Sequence, residues 1–274
     1  MPTISVNNAT IAYTDTGVPA EVPDASTIVF GHGLLFGGWV FREQIEALRH
    51  RLRCVTIDWR GQGDTPPTPD GYDMDTLAAD AVALIRELGL PPVHWVGLSM
   101  GGFIGQRIAA RHGELLRSLT LLDTSAGAEE PDKVGEYQLL ARLLLLVGFR
   151  PLVRTVRSLL FGPTFLADPA NRLLLAEWAT RIRHGNRAAI RRAVLGVAGR
   201  ASVEPEISGI GVPTLVVVGA DDRATPPARA EHLAALIPDA RLQVVAHSGH
   251  TSPLEQPSVV TGLLATFLDT VDGS

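Results

Sequence analysis

Short apolar segments alternate with amphipathic segments along most of this chain, and this alternation constrains its fold more than any other feature. The segments that predict strands are Thr3–Val6, Ala9–Thr14, Thr27–Phe30, Cys54–Ile57, Val93–Gly97, Ser118–Asp123, Thr214–Val218 and Leu242–Val245. The segments that predict helices are Trp39–His50, Asp75–Leu88, Gly101–His112, Ala228–Ile237 and Pro257–Leu268. The first two strands predict a hairpin with Asn7-Asn8 at its turn. Beyond that hairpin, the alternation predicts an α/β fold with a parallel sheet covered by helices on both faces.

The alternation stops between about residues 127 and 210, where only a helical pattern rich in leucine and arginine remains. A segment of this length is too long for a simple loop in a compact domain, so it predicts an inserted helical cap. We therefore expect a core formed by residues 1–126 and 209–274 and a cap formed by residues 127–208.

Apolar and basic side chains of the predicted cap are candidates for contact with a substrate. Apolar residues at helical spacing are usually core, so we expect most of Leu139, Leu140 and Leu143–Val147 to pack cap helices together. The remaining residues of this set would form the wall of a substrate pocket. Arg150, Arg154 and Arg157 form a stripe that is more often a solvated face. A clamp for a substrate carboxylate is the alternative.

Composition excludes several classes of protein. The chain has 274 residues, 46% of them hydrophobic, a net charge of −5 and no basic tract, which argues against a nucleic-acid partner. Cys54 is the single cysteine, so neither a disulfide framework nor a thiolate metal cluster is possible, and we expect a buried thiol. The sequence has no signal-peptide pattern and no apolar run long enough to cross a bilayer. We expect a cytoplasmic protein without a membrane partner, either a monomer or a homodimer.

The segment Gly97-Leu98-Ser99-Met100-Gly101-Gly102 lies between a predicted strand and a predicted helix. A serine between two glycines in this context is the nucleophile-elbow pattern, in which a strained turn presents the hydroxyl above the sheet. The helix dipole favours negative charge at the same place. Ser99 is therefore the candidate nucleophile, and a glycine-rich packing turn is the alternative.

A serine nucleophile needs a base, and three histidines follow predicted strands at the expected edge of the sheet: His32, His247 and His250. Gly249 permits a tight turn that would direct His250 at the serine, so His250 is favoured over His247. We expect His32 to support its own loop. His94 begins its strand and should lie at the opposite edge.

The base needs a carboxylate that orients it. Asp221 and Asp222 follow the strand Thr214–Val218, and Asp123 ends another strand. The order Ser99, Asp222, His250 is one known order of such triads, which favours Asp222. Order alone leaves Asp123 and Asp221 as rivals.

Acyl transfer also needs N–H donors for a tetrahedral oxyanion. The glycine-rich segment Gly31-His32-Gly33-Leu34 follows a strand, so its backbone can approach a ligand closely. The N–H groups of Leu34 and of Met100, which follows the serine, are the candidate pair.

Together these segments resemble the α/β-hydrolase superfamily over nearly the whole chain. The resemblance rests on His32-Gly33, Asp58-x-Arg60-Gly61-x-Gly63, residues 97–102, Gly219-Ala220-Asp221-Asp222 and Ser248-Gly249-His250. It implies a mostly parallel eight-stranded sheet with helices on both faces and an inserted helical cap. It assigns Asp222 as the acid, His250 as the base and Leu34 as an oxyanion donor. At Gln62-Gly63-Asp64-Thr65 relatives commonly show HGxS, a departure that we expect to affect loop packing and not chemistry.

Within the superfamily the chain looks most like small-molecule carboxylesterases, 3-oxoadipate enol-lactonase-like proteins and cofactor-free haloperoxidases. The resemblance implies hydrolysis of a small, largely apolar ester or lactone through an acyl-enzyme, with no metal or organic cofactor. The alternatives are perhydrolase or haloperoxidase activity on the same triad and a non-catalytic ligand receptor on this fold.

Overall fold

One sheet of eight strands forms the centre of the molecule in the computed structural model, which describes residues 1–273. Its strands are β1 Thr3–Val6, β2 Ala9–Asp15, β3 Thr27–Gly31, β4 Arg53–Ile57, β5 Val93–Leu98, β6 Leu116–Leu122, β7 Thr214–Gly219 and β8 Arg241–Val245. The order across the sheet is β1-β2-β4-β3-β5-β6-β7-β8. Strand β2 is antiparallel to β1 and β4, and all other neighbours are parallel. Each predicted strand and the mostly parallel sheet are confirmed.

Local chemistry explains the antiparallel edge. Asn7 and Asn8 connect β1 to β2 with φ angles of 46° and 60°. Both central residues of a tight hairpin turn need positive φ, and asparagine tolerates it better than most residues do. The hairpin predicted at this position is therefore formed as expected.

Helices cover both faces of the sheet. The α-helices are α1 Arg42–Leu48, α2 Met74–Glu87, α3 Met100–Arg111, α4 Pro131–Val147, α5 Val153–Leu160, α6 Pro163–Ala167, α7 Arg172–His184, α8 Arg187–Ala198, α9 Glu204–Ile207, α10 Pro227–Leu236, α11 Ser252–Glu255 and α12 Pro257–Asp272. Short 3-10 turns are Gly38–Phe41, Gly113–Leu115, Arg150–Leu152 and Pro169–Asn171. The helix expected at Trp39–His50 is thus a 3-10 turn followed by the shorter α1. Among the described residues, no helix has the length and apolarity to cross a bilayer.

The central strands are buried on both faces, and alternate residues enter different cores. In β3, Ile28 and Phe30 pack with α1, α12 and the helices between β6 and β7, whereas Val29 packs with α2 and α3. This is the two-residue period of a strand. Cys54 lies in the first of these cores, and burial raises the pKa of its thiol to about 12, as expected for an inert core cysteine.

Helices α4 to α9 all lie between β6 and β7, with no strand among the described residues of that segment. The boundaries at residues 126/127 and 208/209 stay a prediction. One expectation for this region is wrong, because Leu139, Leu145, Leu146 and Val147 are exposed by 57%, 42%, 78% and 55%. Apolar residues surround α4 rather than forming one stripe, so a single packing face covers only some of them.

Candidate active site

Ser99 occupies the turn between β5 and α3 in a strained backbone conformation, with φ 49° and ψ −109°. The Ser99 N–H donates to the Leu122 carbonyl at 2.8 Å, which ties the turn to β6. A Cβ at Gly97 would overlap the Gly101 carbonyl, and a Cβ at Gly101 would overlap the Gly31 carbonyl. The two glycines therefore allow strand, turn and helix to meet, as the elbow pattern predicts.

The structure brings Ser99, His250 and Asp222 together in one hydrogen-bonded series. Ser99 Oγ lies 2.8 Å from His250 Nε2, and His250 Nδ1 lies 2.9 Å from Asp222 Oδ2. With the proton on Nδ1, the imidazole donates to Asp222 and leaves Nε2 free to accept the serine proton. All three side chains are buried, so the series is shielded from bulk water.

Asp222 is fixed by donors on its own loop. Its Oδ1 accepts the N–H groups of Ala224 at 2.8 Å and Thr225 at 2.9 Å, and its Oδ2 accepts the Thr225 hydroxyl at 2.9 Å. Burial lowers the pKa of His250, but the charge and hydrogen bond of Asp222, together with the charges of Asp123 and Glu255, outweigh that effect, so the pKa of His250 is raised overall. Asp222 therefore both orients the imidazole and favours its protonated form.

The two rival acids have other positions. Asp123 accepts the Gly219 N–H at 2.9 Å and the Ser252 N–H at 2.9 Å, so it connects the loops that carry Asp222 and His250. Burial, with the nearby charge of Asp222, raises the pKa of Asp123 to about 7. The His250 ring nitrogens make their hydrogen bonds to Thr225, Asp222 and Ser99 and not to Asp221, whose N–H donates to the Ser248 carbonyl at 2.8 Å. Geometry thus singles out Asp222 among the three aspartates.

The other candidate histidines lie away from Ser99 Oγ. His32 supports its loop as expected, because Nδ1 donates to the Gly33 carbonyl at 2.7 Å and Nε2 accepts the Trp59 N–H at 3.2 Å. His247 is exposed, and its carbonyl accepts from Gln256. His94 lies at the opposite edge of the sheet, between Ser118 and Asp272.

The Leu34 and Met100 N–H groups are free donors beside the serine. In residues 1–273 neither donates to an acceptor within the chain, and a Cβ at Gly33 would lie 3.4 Å from Ser99 Cβ. Gln62 Oε1 accepts the N–H of Leu35 at 2.9 Å, and Leu35 has a φ of 67°. Gln62, the residue that departs from the common family pattern, therefore holds the loop that carries the Leu34 N–H.

A cavity of about 90 Å³ adjoins Ser99 and His250. Its wall is mainly apolar and combines residues near Ser99 with residues of the helices between β6 and β7, among them Leu34, Leu98, Phe103, Leu140, Leu144, Val156, Leu160 and Val194. None of Arg150, Arg154 and Arg157 lines it, so they do not form the carboxylate clamp considered from the sequence.

Two polar cavity residues, Glu129 and Tyr137, were not anticipated from the sequence. Glu129 pairs with Arg200 at 3.0 Å and Arg229 at 3.1 Å, and Arg200 lies 4.1 Å from the centre of the Phe103 ring. The Glu129-Glu130-Pro131 sequence has the form of a helix start, so it carried no signal of a site. Among the described residues, no group of three or more His, Cys, Asp or Glu side chains could hold a metal ion.

The sequence and the structure of this chain are similar to those of known proteins. A family model described as the alpha/beta hydrolase fold matches residues 26–257. 3-Oxoadipate enol-lactonase 2 of Acinetobacter baylyi is 27% identical over 237 residues, 85% of each chain. A Stutzerimonas stutzeri protein named as a carbamate hydrolase is 27% identical over 90% of this chain and 92% of its own. The crystal structure of the enol-lactonase from Burkholderia xenovorans is 27% identical and superimposes with a TM-score of 0.89 over 97% of this chain and 99% of its own.

Proposed function

This chain belongs to the alpha/beta hydrolase family, and from that premise we propose that it hydrolyses a small, largely apolar carboxylic ester or lactone through an acyl-enzyme. The observation that carries the proposal is the series Ser99 Oγ, His250 Nε2, His250 Nδ1 and Asp222 Oδ2 beside an apolar cavity. These groups match the nucleophile, base and orienting acid of acyl transfer. An enol-lactonase among the relatives supports the ester and lactone class.

The acylation step follows from the hydrogen bonds. Ser99 Oγ attacks the acyl carbon while His250 Nε2 takes its proton, and the carbonyl oxygen becomes an oxyanion. The N–H groups of Leu34 and Met100 hold that oxyanion. As the tetrahedral intermediate collapses, the bond to the alcohol oxygen breaks and His250 returns the proton to that oxygen.

Deacylation repeats the same steps with water as the nucleophile. His250 takes a proton from a water molecule as its oxygen attacks the acyl-enzyme, and then returns the proton to Ser99 Oγ when the acid leaves. With a lactone the alcohol remains attached to the acyl group, so one hydroxy acid is the product. The mechanism uses only groups of this chain, and Asp222 stabilises the imidazolium in both steps.

The cavity indicates a short acyl group. Its volume is about 90 Å³, whereas an engineered apolar cavity of about 150 Å³ accommodates benzene. We expect small acyl groups to fit without movement of the helices between β6 and β7, and long acyl chains to need such movement.

A series of p-nitrophenyl esters with increasing acyl length, assayed beside small lactones, tests the proposal. We expect kcat/KM to be highest for short acyl groups, and Ser99→Ala to lower kcat by roughly 10⁴-fold or more. Ser158→Ala removes an exposed serine on α5 and should have no effect. Near-wild-type turnover by Ser99→Ala would overturn the assignment.

Carbamate hydrolysis is the second candidate, favoured by the relative named as a carbamate hydrolase. Matched p-nitrophenyl carbamates in the same assay decide between them, because the same triad would act on either carbonyl. A fluorophosphonate probe separates both from a ligand receptor, since only an activated Ser99 forms the covalent adduct. Added hydrogen peroxide tests perhydrolysis by competing with water for the acyl-enzyme.

A further inference from the structure

One buried carboxylate contacts the loop of His250 on both sides of the histidine. Glu255 Oε2 accepts the Gly249 N–H at 2.9 Å, and Oε1 accepts the Thr251 N–H at 3.1 Å. Gly249 and Thr251 are the neighbours of His250, so Glu255 fixes the backbone from which the imidazole extends. Glu255 is 7% exposed.

The same carboxylate reaches the segment between β6 and β7. Glu255 Oε2 accepts the Gly162 N–H at 2.8 Å, and the Thr251 hydroxyl donates to the Leu160 carbonyl at 2.7 Å. A Cβ at Gly249 would overlap the Gly162 nitrogen, so the two backbones are in direct contact. Leu160 lines the cavity beside Ser99, and the histidine loop and one cavity wall are therefore joined.

Three backbone N–H groups donate to the Glu255 carboxylate, and among residues 1–273 no lysine or arginine pairs with it. Burial raises the pKa of Glu255, and these hydrogen bonds oppose that effect. The charge of His250 favours the ionised form of Glu255, and His250 itself interacts electrostatically with Asp222 and Asp123 as well. Charge-assisted hydrogen bonds of this kind are stronger than neutral ones, so loss of the charge weakens all three together.

We propose that Glu255 is a positioning residue that couples the cap to His250, holding Gly162 against the histidine loop and so fixing the imidazole relative to Ser99. The proposal rests on the proposed function for its catalytic consequence. The coupling itself is a property of the resting protein and can be measured without any substrate.

Glu255→Gln tests the coupling, because it keeps the size of the side chain and removes the charge. We expect amide hydrogen exchange to increase in segments 160–163 and 248–252 together. We also expect kcat to fall roughly 10- to 100-fold with KM changed by less than about threefold, as for a misplaced catalytic group. The acid limb of kcat/KM should move to lower pH, because a negative charge that favours protonated His250 is lost.

Two further variants separate coupling from a general loss of structure. Glu177→Gln removes another contact between the cap and the core, the ion pair of α7 with Arg42 at 2.8 Å, and should leave exchange at 248–252 and the acid limb unchanged. Glu255→Asp keeps the charge but shortens its reach, so exchange should rise in both segments while the acid limb moves less than in Glu255→Gln.

Unchanged exchange in both segments, or a change in only one of them, would overturn the proposal for either Glu255 variant. An unchanged pH profile in Glu255→Gln with activity lost only in proportion to unfolded protein would overturn it too. If the wild-type protein shows no Ser99-dependent turnover, the proposed function fails, yet the exchange measurement still decides whether Glu255 couples the two segments.

Discussion

His250 is subject to opposing influences that determine how activity should depend on pH. Burial disfavours its charged form, but the carboxylates of Asp222, Asp123 and Glu255 together outweigh burial, and the pKa is raised above the ordinary value of 6.5. A general base acts only when unprotonated, so the proposed activity should be present above the pKa of His250 and should be lost as pH falls through it. We expect the acid limb of kcat/KM to lie above pH 6.5. A profile of p-nitrophenyl ester hydrolysis that stays flat down to pH 6 would contradict the assignment of this pKa to the base.

Individual residues were predictable to different degrees from the sequence. Ser99 was identifiable because the glycines and the strand before it are local features. The choice between Asp222 and Asp123 was not local, since both end neighbouring strands and only the side-chain directions distinguish them. Motif resemblance favoured Asp222, and in the structure Asp222 Oδ2 lies 2.9 Å from His250 Nδ1; its catalytic role stays a prediction. Glu255, five residues beyond His250, gave no signal because its partners are backbone N–H groups, which no side-chain pattern marks, and because Gly162 is 93 residues away in sequence.

At the scale of elements, the elbow glycines make a sharp prediction. Gly101→Ala places a Cβ against the Gly31 carbonyl at the end of β3, so α3 must shift and the protein should be destabilised by about 1–3 kcal/mol or more. The shift would also displace Met100, so kcat of the folded fraction should fall. Urea unfolding and ester hydrolysis measure the two effects.

Gly262→Ala is the matched control for that substitution. Gly262 lies in α12 with open space where a Cβ would be, so alanine should stabilise the protein by about 0.5–1 kcal/mol through its higher helix propensity. Equal effects of the two substitutions would contradict the steric argument at the elbow.

Sequence periodicity predicted the positions of the strands and helices more reliably than it predicted which of their side chains are buried. Strands such as β3 and β7 are short apolar runs bounded by turn residues, and both faces of each are buried, so pattern and environment agree. In α4, apolar side chains surround the helix, and the pattern could not tell which of them face a neighbour. Leu144 is buried whereas Leu146 is 78% exposed, which only the packed structure distinguishes.

At the scale of the whole molecule, the contacts that complete the site join distant parts of the chain. Glu129 meets Arg200 and Arg229, which are 71 and 100 residues away in sequence. No local pattern in the sequence marks such a pair, and from one sequence alone a buried ion pair cannot be distinguished from a solvent-exposed one. The sheet could be predicted because each strand is a local apolar run in the sequence. The polar end of the cavity, at Glu129, depends instead on how the helices between β6 and β7 pack over the sheet.

A buried ion pair far from Ser99 offers a last prediction that separates stability from catalysis. Arg60 Nε and Nη2 donate to Asp80 at 2.7 and 2.9 Å, and Arg60 Nη2 also donates to the Asn7 carbonyl at 3.1 Å, so the pair joins α2 to the β1–β2 turn. Both side chains are buried, and Asp80→Asn would remove the carboxylate that pairs directly with the guanidinium. Breaking such a pair costs about 3–5 kcal/mol, so the urea midpoint should fall markedly.

Because Asp80 touches neither the triad nor the cavity, the folded fraction of Asp80→Asn should keep the wild-type kcat and the wild-type acid limb. Urea unfolding curves measure the loss of stability, and turnover measured on the same samples shows whether the folded fraction keeps its kcat. A loss of kcat greater than the loss of folded protein would contradict this expectation, because it would mean that breaking the Arg60–Asp80 pair also displaces Ser99 or the groups around it.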